Sequence, residues 1–187
     1  MAIHTPGQRV APWRIATWCV AACLLLLPLV AMQFTDDVQW TLGDFATFGT
    51  MLFVACGTCE LAARKTVNTA YRGAVGLAVA AAFFLVWINL AVGIIGSEQD
   101  RANLLFAGVL LVGIVGAVVA RFQARGMALA LVATAVAQAG VPVVARSTAP
   151  EVLALTGCFV AIWLASAWLF RKASTDSSIR QRMAGVR

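Results

Sequence analysis

The stretch from Leu104 to Ala120 reads LLFAGVLLVGIVGAVVA, contains no charged residue, and is followed directly by Arg121. A helix needs roughly 20 mostly apolar residues to cross the hydrocarbon core of a bilayer, and about 17 are enough at the lower end. Five further apolar stretches of comparable length fill most of the 187-residue chain. The sequence therefore predicts six membrane spans, with these approximate bounds: Trp13–Phe34, Phe45–Ala63, Gly73–Ile95, Leu104–Ala120, Met127–Val144 and Val152–Phe170.

The composition supports the same fold class. Hydrophobic residues make up 61% of the chain and charged residues only 12%, which is far from the balance of a soluble domain. Because lipid offers no water to unpaired backbone groups, an open sheet is excluded. We expect an all-α, six-transmembrane-helix bundle with short loops at 13–170, a flexible cytoplasmic N-terminus at 1–12 and a basic cytoplasmic tail at 171–187.

The distribution of basic residues predicts the topology. If the chain crosses the membrane six times, 12 of its 14 Lys and Arg residues fall on one side, and only Arg101 and Arg146 fall on the other. The positive-inside rule makes the basic side cytoplasmic, so both termini are expected there. The net charge of +6 then follows from topology. The expected partner is the lipid bilayer, and no nucleic acid is expected.

Small residues repeat along two of the predicted helices. Ala74, Ala78 and Ala82 recur every four residues in the third span. In the fourth span, Gly113 precedes Ala117 and Gly116 precedes Ala120 at the same spacing. Such faces let helix backbones approach closely in a membrane. They predict a compact bundle with little room for a wide pore.

Glu60 is an acidic residue inside the second span and lies near its cytoplasmic end. Arg64 follows at i+4, the favourable order for an ion pair on a helix. The simpler interpretation is an interfacial pair whose charged ends reach toward water. The functional interpretation is a protonatable carboxylate at the inner mouth of a pathway.

Two buried amides are predicted at comparable depth. Asn89 lies in the outer half of the third span, and Gln138 shares a face of the fifth span with Thr134 and Pro142. A hydrogen bond between the two amides would join their helices, with a stabilisation of roughly 0.6–2 kcal/mol. A solute site would use the same side chains, and the sequence leaves both interpretations open.

Four cysteines fall in the cytoplasmic half of the first two helices: Cys19, Cys23, Cys56 and Cys59. Thiolates are soft ligands, so these residues are weak candidates for a copper(I), zinc or mercury site. Cysteine also packs as a small hydrophobe, and no histidine in the spans supports a metal site. We therefore favour packing over metal binding.

Motifs of catalysis are missing from the sequence. His4 is the only histidine, and it precedes the first span. The chain has no phosphate-binding loop of the form GxxxxGK[ST] and no Ser/His/Asp set. We expect no catalytic residue and no cofactor.

The segment WINLAVGIIGSE at residues 87–98, continued by Ala102-Asn103-Leu104, resembles a motif of a family of small bacterial multi-pass inner-membrane proteins. Three more segments resemble the same family: Glu60–Lys65, Asn68–Arg72 and Arg121–Met127. The resemblance covers most of residues 38–172. Because the family has no assigned activity, the resemblance implies a location and no mechanism. It draws attention to Asn89 and to the turn at Gly93–Glu98, and its pattern does not include the cysteines.

Three classes of function remain open. The first is a non-catalytic accessory or scaffold subunit that binds another membrane subunit or a second copy of itself. The second is a transporter or channel for a small solute or ion, built on the buried amides. The third is a membrane thiol or soft-metal protein.

Overall fold

The computed structural model describes residues 12–96 and 99–184, and all the regular structure in these ranges is helical. The helices are α1 (Pro12–Ala31), α2 (Leu42–Lys65), α3 (Thr69–Ala91), α4 (Leu104–Val119), α5 (Ala124–Ala145) and α6 (Pro150–Ala184), with a 3₁₀ turn at Arg101–Asn103. Within the described ranges, six helices are long and apolar enough to cross a membrane. The predicted all-α fold with six spans and short loops is confirmed.

Helix α3 ends at Ala91, four residues before the expected Ile95. Gly93 and Gly96 follow it with φ values of 70° and 65°, a conformation that glycine adopts at little cost. The positive φ values at these two glycines turn the backbone out of the helical path before the apolar stretch of sequence ends. The hydrophobic pattern predicted the helix, but the glycines set its end.

Helix α6 continues to Ala184, although the sequence predicted a tail beginning at Arg171. At about 1.5 Å per residue its 35 residues extend roughly 52 Å, well beyond a hydrocarbon core of about 30 Å. The segment 171–184 contains no glycine or proline, and its hydroxyl groups bond to carbonyls of the preceding turn, as Ser174 Oγ does to Arg171 O at 2.7 Å. The hydroxyls therefore do not compete with the helix. Residues 1–11 of the predicted flexible N-terminus and residues 185–187 lie outside the described residues.

The chain divides into two compact units, residues 1–60 and 61–187. In the described part of the first unit, α1 packs on α2 through few side chains. The ring centroids of Trp18 and Phe53 are 5.6 Å apart, and a methyl group at Gly49 would meet Leu25 at 3.7 Å. Only 11% of the span in α1 is buried. The described part of the first unit by itself therefore leaves most of this helix surface uncovered.

The second unit has its core among the four helices α3, α4, α5 and α6. One face of α6 is buried at every third or fourth position: Val152, Thr156, Phe159, Trp163, Ser166, Phe170 and Ala173. On this face, Ser166 Oγ donates to Ala74 O of α3 at 2.7 Å. That bond satisfies a hydroxyl for which the surrounding lipid offers no partner.

Helices α4 and α5 approach closely at the predicted small-residue face. A Cβ atom placed on Gly113 would lie 3.1 Å from Thr134 Oγ1, and one on Gly116 would lie 2.7 Å from Ala130 Cβ. The α4 backbone therefore rests almost directly on α5. This contact confirms the predicted role of the glycines in packing.

Polar contacts hold the connections at one end of the second unit. Tyr71 Oη donates to Phe122 O at 2.7 Å, in the α4–α5 turn where Arg121 and Phe122 have positive φ. Arg72 Nε donates to Thr66 O at 2.8 Å, and its guanidinium also bonds to Ala63 O. These carbonyls follow or end α2, where helix carbonyls otherwise lack partners.

Candidate functional site

Glu60 is the centre of a polar cluster within the first unit. Its Oε1 forms an ion pair with Arg14, and its Oε2 accepts a hydrogen bond from Trp18 Nε1 at 2.9 Å. Arg14 and Trp18 are four residues apart on α1, so both side chains lie on the helix face toward α2. The side chains of Arg14 and Glu60 are 27% and 15% exposed. We call Arg14, Trp18 and Glu60 the α1–α2 polar cluster.

The structure gives Glu60 two partners that the sequence analysis did not name. Arg14 and Trp18 are 46 and 42 residues away from Glu60 in sequence. The pair of Glu60 with Arg64 on the same helix stays a prediction. The sequence could have indicated these partners through their depth in the membrane. In an antiparallel helix pair, Arg14 and Trp18 near the start of α1 lie at the same level as Glu60 near the end of α2. The simple interpretation of Glu60 as one member of an ion pair agrees with this geometry.

The α1–α2 polar cluster joins the two helices through an ion pair and a hydrogen bond. Two charges that leave water together stabilise each other only while both partners are present. Both carboxylate oxygens of Glu60 have donors from α1, so α1 is held to α2 at this level. Arg14 Nε is buried and has no hydrogen-bond partner within the described residues.

The four cysteines do not come together as a ligand set. Cys56 and Cys59 are half-buried and line a cleft beside Glu60 that has room for about one water molecule, whereas Cys19 and Cys23 are exposed. In the parts of the chain that the structure describes, no group of three or more His, Cys, Asp or Glu side chains could hold a metal ion. All four thiols are free. The geometry gives the soft-metal hypothesis no support.

Asn89 belongs to a hydrogen-bonded turn that follows α3. Asn103 is buried, and its Oδ1 accepts from the backbone N–H groups of Ile94 at 3.1 Å and Ile95 at 2.9 Å. Its Nδ2 donates to Ile95 O at 3.2 Å, and its own carbonyl accepts from Asn89 Nδ2 at 3.1 Å. The two asparagines thus satisfy backbone groups of the turn. This arrangement lies within residues 87–104, where the sequence resembles the family described above. The hydrogen bonds that are shown hold the backbone of the turn.

Gln138 is buried in the second unit and lacks the predicted partner. It is 1% exposed, and neither Nε2 nor Oε1 has a hydrogen-bond partner among the described residues. The predicted bond between Gln138 and Asn89 is therefore wrong, because the Asn89 amide donates to the Asn103 carbonyl instead. The predicted burial of Gln138 on one face with Thr134 and Pro142 is confirmed.

Two side chains of α6 also have a buried polar atom without a hydrogen-bond partner among the described residues. Thr156 Oγ1 and Trp163 Nε1 are buried without a hydrogen-bond partner in the described part of the chain. Thr156 and Trp163 are 6% and 3% exposed. The sequence analysis missed both as polar candidates. Their spacing of seven residues, which places both side chains on one helix face, was the signal that could have found them.

Comparison with known proteins gave no match: no protein-family model, no curated protein and no solved structure matches the chain. The resemblance around Trp87–Asn103 therefore stays a prediction.

Proposed function

We propose that this protein is a non-catalytic accessory or scaffold subunit that acts through helix–helix contacts in a bacterial inner membrane. The observation that carries the proposal is an exposed face of α2 composed of Thr47, Thr50, Val54 and Thr58. We call it the threonine face of α2. Interfaces between membrane helices are enriched in small and hydroxyl-bearing residues, because such residues let backbones approach closely.

The threonine face points away from the helix that α2 contacts in its own unit. The contacts with α1 include those of Gly49, Phe53 and Glu60, whose centre lies about 120° around α2 from the centre of the threonine face. Thr50 Oγ1 and Thr58 Oγ1 donate to the carbonyls of Ala46 and Val54, each at 2.7 Å. With the hydroxyls of Thr50 and Thr58 satisfied within the helix, the face presents short side chains that a second membrane helix can pack against.

The orientation that we propose places both termini in the cytoplasm. Six spans return the chain to the side where it began, and 12 of the 14 basic residues then lie on that side. The positive-inside rule assigns that side to the cytoplasm. We expect a reporter that folds only in the cytoplasm to be active when it is fused after Arg187. Activity of a periplasm-dependent reporter at the same site would contradict the orientation.

The other two classes of function have weaker support. Transport was based on two amides, and Asn89 is engaged in the turn after α3. The thiol or soft-metal class needs a ligand cluster, and the described residues contain none.

Native mass spectrometry of protein released gently from its own membrane tests the proposal. We expect a second polypeptide, or a second copy of the chain, at fixed stoichiometry. The double variant Thr50→Leu/Thr58→Leu enlarges the threonine face and should reduce recovery of this partner at least tenfold, since overpacking a close contact is destabilising. Leu27→Phe, at a 61%-exposed position of α1, is the matched control and should retain the partner. A lone chain in both preparations, or a partner that survives the double variant, would refute the assignment.

A further inference from the structure

Four side-chain polar atoms of Gln138, Thr156 and Trp163 in the core of the second unit have no hydrogen-bond partner among the residues that the structure describes. Buried polar groups in proteins are nearly always hydrogen-bonded to protein or to ordered water. Inside a bilayer the surrounding lipid supplies no partner. Three such residues in one four-helix core therefore point to a bound molecule and not to a single misplaced side chain.

Gln138 and Thr156 lie at the same level of the bundle. The helices α5 and α6 are joined by residues 146–149, so they run antiparallel from that connection. Gln138 lies seven residues before Ala145, and Thr156 lies six residues after Pro150, which puts both about 10 Å from the connection at about 1.5 Å per residue. Trp163 is seven residues further along the same face of α6.

The surroundings of this level are apolar. The register of α4 on α5, set by Gly113 against Thr134 and Gly116 against Ala130, places Val109 opposite Gln138. Val109 is buried, and so is Leu85 of α3 in the same core. Protein partners for the Gln138 amide are therefore scarce at this level, whereas both its donors and its acceptor are available.

The chemistry of the three side chains defines the class of ligand. Gln138 offers an amide with two hydrogens and a carbonyl oxygen, Thr156 a hydroxyl, and Trp163 an indole N–H. No charged side chain is among the buried residues of the described chain, so an ion would lack a counter-charge in a medium where isolated charges are very unfavourable. The close approach of α4 to α5 limits the size. These constraints select a small neutral molecule that both donates and accepts hydrogen bonds.

We propose that Gln138 and Thr156 form a buried binding site for such a molecule, either water or a small organic solute with the same hydrogen-bonding groups, and that Trp163, about 10 Å further along α6, donates to a second molecule of the same kind. The site lies in the α3–α6 core and is independent of the scaffold function proposed above. The bound molecule links α5 to α6 by completing hydrogen bonds that their own side chains leave open.

The first test uses volume-conserving variants of the full-length protein in lipid nanodiscs. Gln138→Met and Thr156→Val remove the polar atoms with little change of shape. If a molecule is bound, each variant should lower the ratio of folded to unfolded protein by about tenfold, because a bridging hydrogen bond is lost. In the double variant, the ratio of folded to unfolded protein should fall by less than the product of the two single-variant factors, since one molecule bonds to both residues. Gln123→Met, at an exposed position, is the matched control and should leave the ratio unchanged.

The opposite sign would overturn the proposal. If the site is empty, each variant removes an unpaired polar group from an apolar core, so stability should rise and the two effects should multiply.

The second test detects the molecule directly. Protein labelled with ¹⁵N in the Gln side-chain amides and the Trp indoles is placed in nanodiscs, and the signals are assigned with Gln138→Met and Trp163→Phe. Magnetisation transfer from water to the Gln138 amide and the Trp163 indole would identify the ligand as water. Absence of transfer together with a small organic molecule released on denaturation, and detected by mass spectrometry, would identify a solute. Absence of both signals would rule the site out.

Discussion

Replacing Gly116 by Ala tests the close packing of α4 on α5. The added Cβ would lie 2.7 Å from Ala130 Cβ and 3.2 Å from Ala130 Cα. Carbon atoms at optimal contact are about 3.5 Å apart or more, so the methyl group is too close by about 0.8 Å. Because part of the obstacle is backbone, no rotamer change relieves it. The helices must move apart.

The magnitude follows from two opposing effects. Overpacking a well-packed contact typically costs about 1–3 kcal/mol, whereas Gly→Ala in a helix contributes about 0.5–1 kcal/mol in the stabilising direction. We therefore expect Gly116→Ala to lower the free energy of unfolding by about 1–2 kcal/mol net. Gly108→Ala on the same helix is the matched control, because its Cβ would meet nothing within 4 Å. We expect the control to be neutral or slightly stabilising.

Equilibrium unfolding in mixed micelles with increasing denaturing detergent, followed by circular dichroism and tryptophan fluorescence, measures both variants. The informative quantity is the difference between them, since helix propensity contributes equally to each. If Gly116→Ala is as stable as Gly108→Ala, α4 and α5 do not approach as described, and the argument from the small-residue face fails.

The remaining predictions concern three polar contacts. Asn103→Ala leaves three backbone groups of the turn after α3 without partners, and we expect the same unfolding assay to show a loss of about 2–4 kcal/mol, against about 1 kcal/mol for Asn89→Leu. Equal small effects would contradict the role of Asn103 in the turn. Glu60→Gln leaves Arg14 without its counter-charge and should destabilise the α1–α2 contact by about 1–3 kcal/mol, measured as faster proteolysis between the two helices. The double variant Arg14→Gln/Glu60→Gln should recover part of the loss, and no recovery would argue against the pair. Tyr71→Phe removes a hydrogen bond to the α4–α5 turn and should cost about 1 kcal/mol, with faster amide exchange in residues 120–124; unchanged exchange would show that the bond does not hold the turn.

The sequence predicted the helices well because the bilayer imposes a strict length and composition on each span. Residues 104–120 could not be anything but a membrane helix, and α4 was found at Leu104–Val119. The packing role of Gly113 and Gly116 was also predictable, because small residues four apart have few other uses in a membrane helix. The end of α3 was less predictable, since the apolar pattern continues through Ile94 and Ile95 after the helix has stopped.

The candidate site was only partly predictable. The sequence singled out Glu60, Asn89 and Gln138, since polar residues in apolar spans stand out. It assigned the wrong partner to Asn89, because the choice between a residue on another helix and the carbonyl of Asn103 depends on where the turn brings the chain back. Thr156 was also missed, because threonine hydroxyls often bond to a carbonyl of their own helix and so need no partner elsewhere. In the described part of the chain, Thr156 Oγ1 has no such bond.

The amino-acid sequence by itself determined that the chain forms six membrane helices, and which helix face carries the small residues, because both depend on periodicity and local composition. Only the tertiary structure decided which polar groups meet. Arg14 bonds to Glu60, which is 46 residues away in sequence, and Asn103 closes the turn after α3. Gln138 has no hydrogen-bond partner within residues 12–96 and 99–184. Hydrogen bonds form only within about 3 Å, so their pairing depends on the register between helices that are distant in sequence. Hydrophobic periodicity is not sensitive to that register, because lipid and neighbouring helices are equally apolar.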